Sequence, residues 1–303
     1  MSGSALPQDT LAHPLGGGGD WSYPTIALLG LAALGYGCLL AWSAPRRRSP
    51  WAAAGPGAAW LLGLTALGAA LASPLERLAE DSLTAHMVQH LLLTIVAAPL
   101  LVLADPVPRV LATLPPRARE IVVPPWSAVV RGARSPAVVL GVAVGYLAVV
   151  LAWHLPGAYE AAVRSEAVHV TEHLTFLGGG VVFWWCVLRI PRRRLGQLVA
   201  GLVAVLIPAF GEAVLGGVMM LSSSPWYGVY VETAADHGFD PVADQQVAGA
   251  VLWAAGTPVY LLAAVVLVLR LVRSAPVDDE PPPPVPPMPE RSSPRPAVDV
   301  APR

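Results

Sequence analysis

The sequence has no lysine and two cysteines, and only 13% of its 303 residues are charged. Each shortage excludes something. Two cysteines are too few for a disulfide framework. Arginine is the only strong base, and no basic face interleaves with aromatic residues, so no nucleic-acid partner is expected. Scarce charge beside 55% hydrophobic residues and a mean hydropathy of +0.58 excludes a soluble domain. The first twenty residues contain neither an arginine nor an apolar run, so no cleaved secretory signal is expected.

What the chain has in abundance is apolar sequence. Seven apolar segments lie at about 25–43, 55–73, 83–104, 137–154, 167–188, 197–221 and 245–272. A helix crossing a hydrocarbon core of roughly 30 Å needs about twenty such residues. The reading is an all-α, polytopic integral membrane protein with seven transmembrane helices over residues 25–272. Residues 1–24 form a short tail with a glycine run at Gly16 to Gly19, and the proline-rich residues 273–303 read as a disordered tail.

Arginine placement sets the expected orientation. Arg46, Arg47 and Arg48 follow the first segment, and Arg109, Arg117, Arg119, Arg131 and Arg134 follow the third. Arg189, Arg192, Arg193 and Arg194 follow the fifth, and Arg270 and Arg273 end the seventh. These fourteen face only Arg77 and Arg164 in the opposite loops. By the positive-inside rule the N-terminus is outside and the C-terminus cytoplasmic. Residues 105–136, broken by prolines, are expected along the inner interface, and residues 222–243 form the main outer loop. Trp226, Tyr227 and Tyr230 read there as interfacial anchors.

The third segment carries His86 and His90, four residues apart and so on one helical face. The fifth repeats the spacing with His169 and His173. Ionisable side chains inside a membrane are costly and usually line a functional cavity. With the expected topology both pairs fall in the outer half, level with His154 at the end of the fourth segment. The sixth segment ends there in Met219 and Met220, with Glu212 two turns deeper. Five histidines from three helices therefore converge.

That set suits a metal, since neutral imidazole offers a lone pair without the burial cost of a charge. Histidine with nearby methionine, here Met87 or Met219, suits copper and favours Cu(I); a zinc hydrolase would more often add a carboxylate and a bound water. Glu172 is placed to orient an imidazole from behind. Asp244 is placed to cap the seventh helix or, with Gln245, to support the site. His13 and His237 read as solvated loop residues, and Cys38 and Cys186 as structural. Four alternatives stand beside copper. His169 to His173, HVTEH, matches the H-x-x-E-H pattern of some zinc peptidases, but a pattern with three fixed residues is short. A metal-dependent membrane hydrolase using zinc is the second. A single bis-histidine haem, which leaves two histidines unused, is the third. The blandest is a scaffold whose histidines only join helices.

The run His86-Met87-Val88-Gln89-His90, followed by Ala98-Pro99-Leu100-Leu101, resembles the signature of the CtaG-like cytochrome c oxidase (caa-type) assembly factors. So do Trp153-His154-Leu155-Pro156, Tyr159, His169 to His173, Phe176 and Trp184-Trp185. Asp244-Gln245-Gln246, Ala248-Gly249, Trp253 and Gly256 extend the likeness, which runs from about residue 21 to 272. Leu252 stands where a methionine is expected before the tryptophan. The resemblance implies a multi-pass protein of the bacterial plasma membrane, not itself an enzyme, that helps supply copper to a maturing haem–copper oxidase. Its implied partners are the oxidase subunits and an outer copper donor. Joined to the residues, it makes His86, His90, His169 and His173 the expected ligands, with His154 and Met219 as exchange ligands.

Overall fold

A computed structural model describes residues 22–43, 51–190 and 194–274. The N-terminal tail with His13, the Arg46 to Arg48 cluster, Arg192, Arg193 and the proline-rich tail lie outside the described residues, as does the His237 side chain. Among the described residues all regular structure is helical: α1 (Ser22–Ser43), α2 (Trp51–Leu71), α3 (Pro74–Asp81), α4 (Leu83–Leu91), a π segment (Leu92–Ala97), α5 (Ala98–Ala104), α6 (Pro106–Thr113), α7 (Pro116–Gly132), α8 (Pro136–Trp153), α9 (Pro156–Arg164), α10 (Glu166–Leu188), α11 (Leu195–Leu221), α12 (Gly228–His237) and α13 (Pro241–Val272).

Five stretches are long and apolar enough to cross a membrane: Tyr23–Trp42, Leu83–Thr113, Pro136–Trp153, Leu195–Leu221 and Pro241–Val272. The pair Gly55–Leu71 and Pro74–Asp81, bent by 44°, makes a sixth if counted as one span. The 23-residue α10 is absent from this group. Its first half holds Glu166, His169, Glu172 and His173, which lower its hydropathy. Leu28, Leu31, Leu61, Phe210, Leu221 and Leu262 are among many large apolar side chains left facing outward, as a bilayer-embedded surface requires.

The continuous run α4–π–α5 is the middle of the bundle and packs against α2, α10 and α13. Helices α8, α11 and α13 lie side by side, with α8 also against α10, and α1 packs outside on α2 and α6. The start of α4 is held twice. Ser82 caps it, its hydroxyl accepting from the Ala85 amide at 3.3 Å. The Asp244 carboxylate of α13 then accepts from the Leu83 amide at 2.7 Å, the Thr84 amide at 3.3 Å and the Ser82 hydroxyl at 3.0 Å. An anion there meets unsatisfied amides and the positive end of the helix dipole. Asp240, not Asp244, caps α13, accepting from the Val242 amide.

Halfway along the middle span the helix widens into the π segment, just before Pro99, which has no amide hydrogen to donate. The Trp184 indole donates to the Thr94 carbonyl there at 2.9 Å. Gly180 lets α10 come this close, since a Cβ on it would lie 3.1 Å from the Ala98 Cβ and 3.4 Å from the Thr94 carbonyl oxygen. Gly216 and Gly249 do the same for α11 and α13: a Cβ on either would fall 2.6 Å or 2.4 Å from the other's carbonyl oxygen.

Candidate metal centre

Three helix ends build the site. His86 and His90 project from the start of α4, His169, Glu172 and His173 from the start of α10, and His154 follows the end of α8. The structure brings these residues together at one end of the bundle. The His86 ring lies 4.4 Å from His90, 5.2 Å from His169 and 6.4 Å from His173. His169 and His173 are 4.1 Å apart, and the His90 ring is 5.5 Å from His173 and 6.4 Å from His154.

Glu172, expected behind the imidazoles, stands among them. Its Oε2 is 3.5 Å from His86 Nε2 and 3.7 Å from His90 Nε2. One ligand atom each from His86, His169, Glu172 and His173 lies within 4.8 Å of the other three. Glu172 is 0% exposed, His86 1% and His90 4%. Among the described residues no arginine pairs with this carboxylate; its neighbours are the imidazoles of His86 and His90. Both Glu172 oxygens, both His90 nitrogens and the Nε2 atoms of His86, His169 and His173 are buried without a hydrogen-bond partner. So many orphaned polar atoms pointing at one another are a costly arrangement. A cation among them would satisfy the whole group.

One neutral tautomer of His86 fits that reading. His86 Nδ1 lies 3.3 Å from both the Ala79 carbonyl and the Tyr230 hydroxyl, and in the tautomer that donates to the carbonyl it carries the ring proton. Its Nε2 lone pair is then left aimed at Glu172, acceptor towards acceptor. A metal-bound imidazole is commonly fixed by such a carbonyl on its far nitrogen. The carbonyl is held in turn by the Tyr230 hydroxyl, which donates to it at 3.0 Å and meets the Tyr159 hydroxyl at 2.9 Å. The Tyr159 ring stacks on Tyr227 at 4.0 Å and lies 5.0 Å from His86. Burial pushes the Tyr159, Tyr227 and Tyr230 hydroxyls upward, so all three stay protonated donors.

Some expected roles move. Tyr227 and Tyr230, read as interfacial anchors, are buried behind the site, because α12 folds back over α9 and α3. Gln245 is buried, but it accepts from the Trp226 amide at 2.7 Å and donates to the Ser224 carbonyl at 3.1 Å, so it secures the loop before α12. Asp244 serves the site indirectly, by fixing the start of α4. Met219 is buried where α11 meets α13 beside Gly249. The sulfur that meets a histidine belongs to Met87, 3.3 Å from His154 Nε2. Cys186 is buried and Cys38 exposed, and neither belongs to the group. Sequence reasoning did not assign Tyr159, Tyr230 and the Ala79 carbonyl to the site; the short helices that carry them had no apolar periodicity long enough to mark them.

Fold and site together define a polytopic helical membrane protein with a buried histidine–carboxylate group at one end of its bundle. The profile of the family described as cytochrome c oxidase caa3 assembly factor (Caa3_CtaG) matches residues 36–274, and the chain belongs to that family. No curated protein and no solved structure gives a significant match.

Proposed function

We propose that this protein binds copper at His86, His169, Glu172 and His173, with His90 beside them, and passes it to a maturing caa3-type oxidase. The observation that carries this reading is the set of buried, unpartnered nitrogen and oxygen atoms on α4 and α10. Copper is cargo here, so the site must bind it and let it go. Histidine ligands from two different helices suit that, because a small shift of α10 against α4 changes the ligand count. Glu172 supplies a negative charge that offsets the cation within the membrane.

The proposed setting is the bacterial plasma membrane, with seven spans and the N-terminus outside. The seventh span is α10, whose 23 residues at 1.5 Å each give about 34 Å, enough to cross. The arginine asymmetry then puts the histidines near the outer surface, within reach of an outer copper donor. One observation favours a second reading. A carboxylate joined to three imidazoles also suits zinc, as in a membrane hydrolase.

Metal analysis of the protein purified from its own membranes separates these readings. Copper in roughly stoichiometric amount is the expected result. Zinc with no copper would favour the hydrolase, haem would favour an electron carrier, and no metal in either purified or reloaded protein would leave a scaffold.

A further inference from the structure

The copper reading leaves one contact unexplained, where the end of α8 meets α4. His154 Nδ1 lies 2.7 Å from the Val150 carbonyl and must carry the ring proton to be hydrogen-bonded there. In the neutral ring Nε2 is then a bare lone pair. Yet Nε2 lies 3.3 Å from the sulfur of Met87, another acceptor. Two acceptors at contact distance with nothing between them repel. The contact is also fully enclosed, His154 being 5% exposed and Met87 0%. A positive particle between the two atoms would make the arrangement favourable.

The surroundings suit such a particle. A cavity of about 10 Å³ borders Met87, His90, His154, Thr94, Tyr146 and Glu212. That is room for a single water-sized occupant. His90 lines it with both ring nitrogens unpartnered. Glu212 is a buried carboxyl held by the Tyr260 hydroxyl at 2.8 Å, with no basic partner among the described ion pairs. With a nitrogen bond of about 2.0 Å and a sulfur bond of about 2.3 Å, donors 3.3 Å apart subtend roughly 100° at a metal, near a tetrahedral angle.

We propose that Met87 and His154 form a second metal position selective for Cu(I), separate from the histidine–carboxylate group, with His90 reaching it by a side-chain shift. This rests on the copper reading of the protein. The thioether makes the second position the softer of the two, and a soft, uncharged sulfur favours Cu(I). His90 lies between the two groups, its ring 4.4 Å from that of His86 and 6.4 Å from that of His154, and a rotation of its side chain would carry it from one to the other. Glu212 balances the charge across the cavity. The protein thus holds two stations, and copper moves between them by exchange of ligands, without change of oxidation state.

The test is a titration of the full-length purified protein with Cu(I) under anaerobic conditions, against a competing chelator, with X-ray absorption on the loaded sample. Wild type should bind two Cu(I), with a sulfur scatterer near 2.3 Å. Met87→Leu should bind one and lose the sulfur signal, while the paired change His86→Ala, His169→Ala should bind one and keep it. Retention of the sulfur signal in that paired variant, with wild type also binding only one ion, would uphold the second position and refute the first. One Cu(I) in wild type with nitrogen and oxygen scatterers only would overturn the second position, leave the first standing, and mean that a proton alone joins His154 to Met87. No Cu(I) binding at all would overturn both.

Discussion

At the residue scale, Glu172 is the side chain on which the site turns. It is wholly buried, it meets no arginine among the described residues, and two imidazoles face it. Replacement by glutamine removes the negative charge while keeping the shape. Metal affinity should fall by more than about 100-fold, beyond the roughly 10- to 100-fold typical of groups that only support a ligand. The apo protein should lose no thermal stability, because an ill-compensated buried charge has gone. Affinity measured by chelator competition and melting by circular dichroism check the two halves, and a stable variant with unchanged affinity would place the metal elsewhere. The histidine pairs were legible from their four-residue spacing alone, as was Glu172 on the face of His169 and His173. Its rank was not, because spacing gives a face and not the position of neighbouring helices. The same limit hid which methionine meets a histidine: Met87 and Met219 read alike until the side chains are placed.

At the element scale, two devices hold the site in register. The first is the clamp of Asp244 on the start of α4. Asp244→Ala removes an N-terminal acceptor, a loss of about 0.5–2 kcal/mol. It should also weaken metal binding, because His86 lies in the first turn that the clamp fixes. A variant that melts earlier yet binds metal as wild type would show that this turn is held otherwise. The second device is the backbone contact of Gly216 with Gly249. Gly249→Ala should destabilise α11 against α13 by about 1–3 kcal/mol, as overpacking does. Gly141→Ala, with open space around its new methyl, should be neutral in the same melting assay. The long apolar segments gave away the main helices. The π segment and the short helices α3, α9 and α12 escaped notice, since fewer than three turns carry too few periods to be told from loops. α7 formed despite Pro124 and Pro125, whose fixed backbone angle does not forbid a helix on the surface.

At the scale of the whole molecule, family membership, the histidine–carboxylate group and the proposed orientation bear on one another. The family gives the oxidase as the client. The proposed site would supply the donor atoms, and the arginine distribution is the ground for the side proposed for them. That last link has its own test. A cytoplasmic reporter fused after Arg273 should be active, and an external reporter placed between Ser222 and Ser224 should be active too. The reverse pattern would put the histidines on the cytoplasmic side and remove the outer donor from the scheme.

The central claim is that this histidine group feeds copper to the oxidase. The most direct measurement is the copper-to-haem ratio of the oxidase isolated from cells whose only copy of this protein carries His86→Ala and His169→Ala. With the variant inserted at normal levels, the oxidase should hold its haem but little copper in its active centre, and extra copper in the medium should restore part of it. An oxidase with the same copper-to-haem ratio as wild type would contradict the claim.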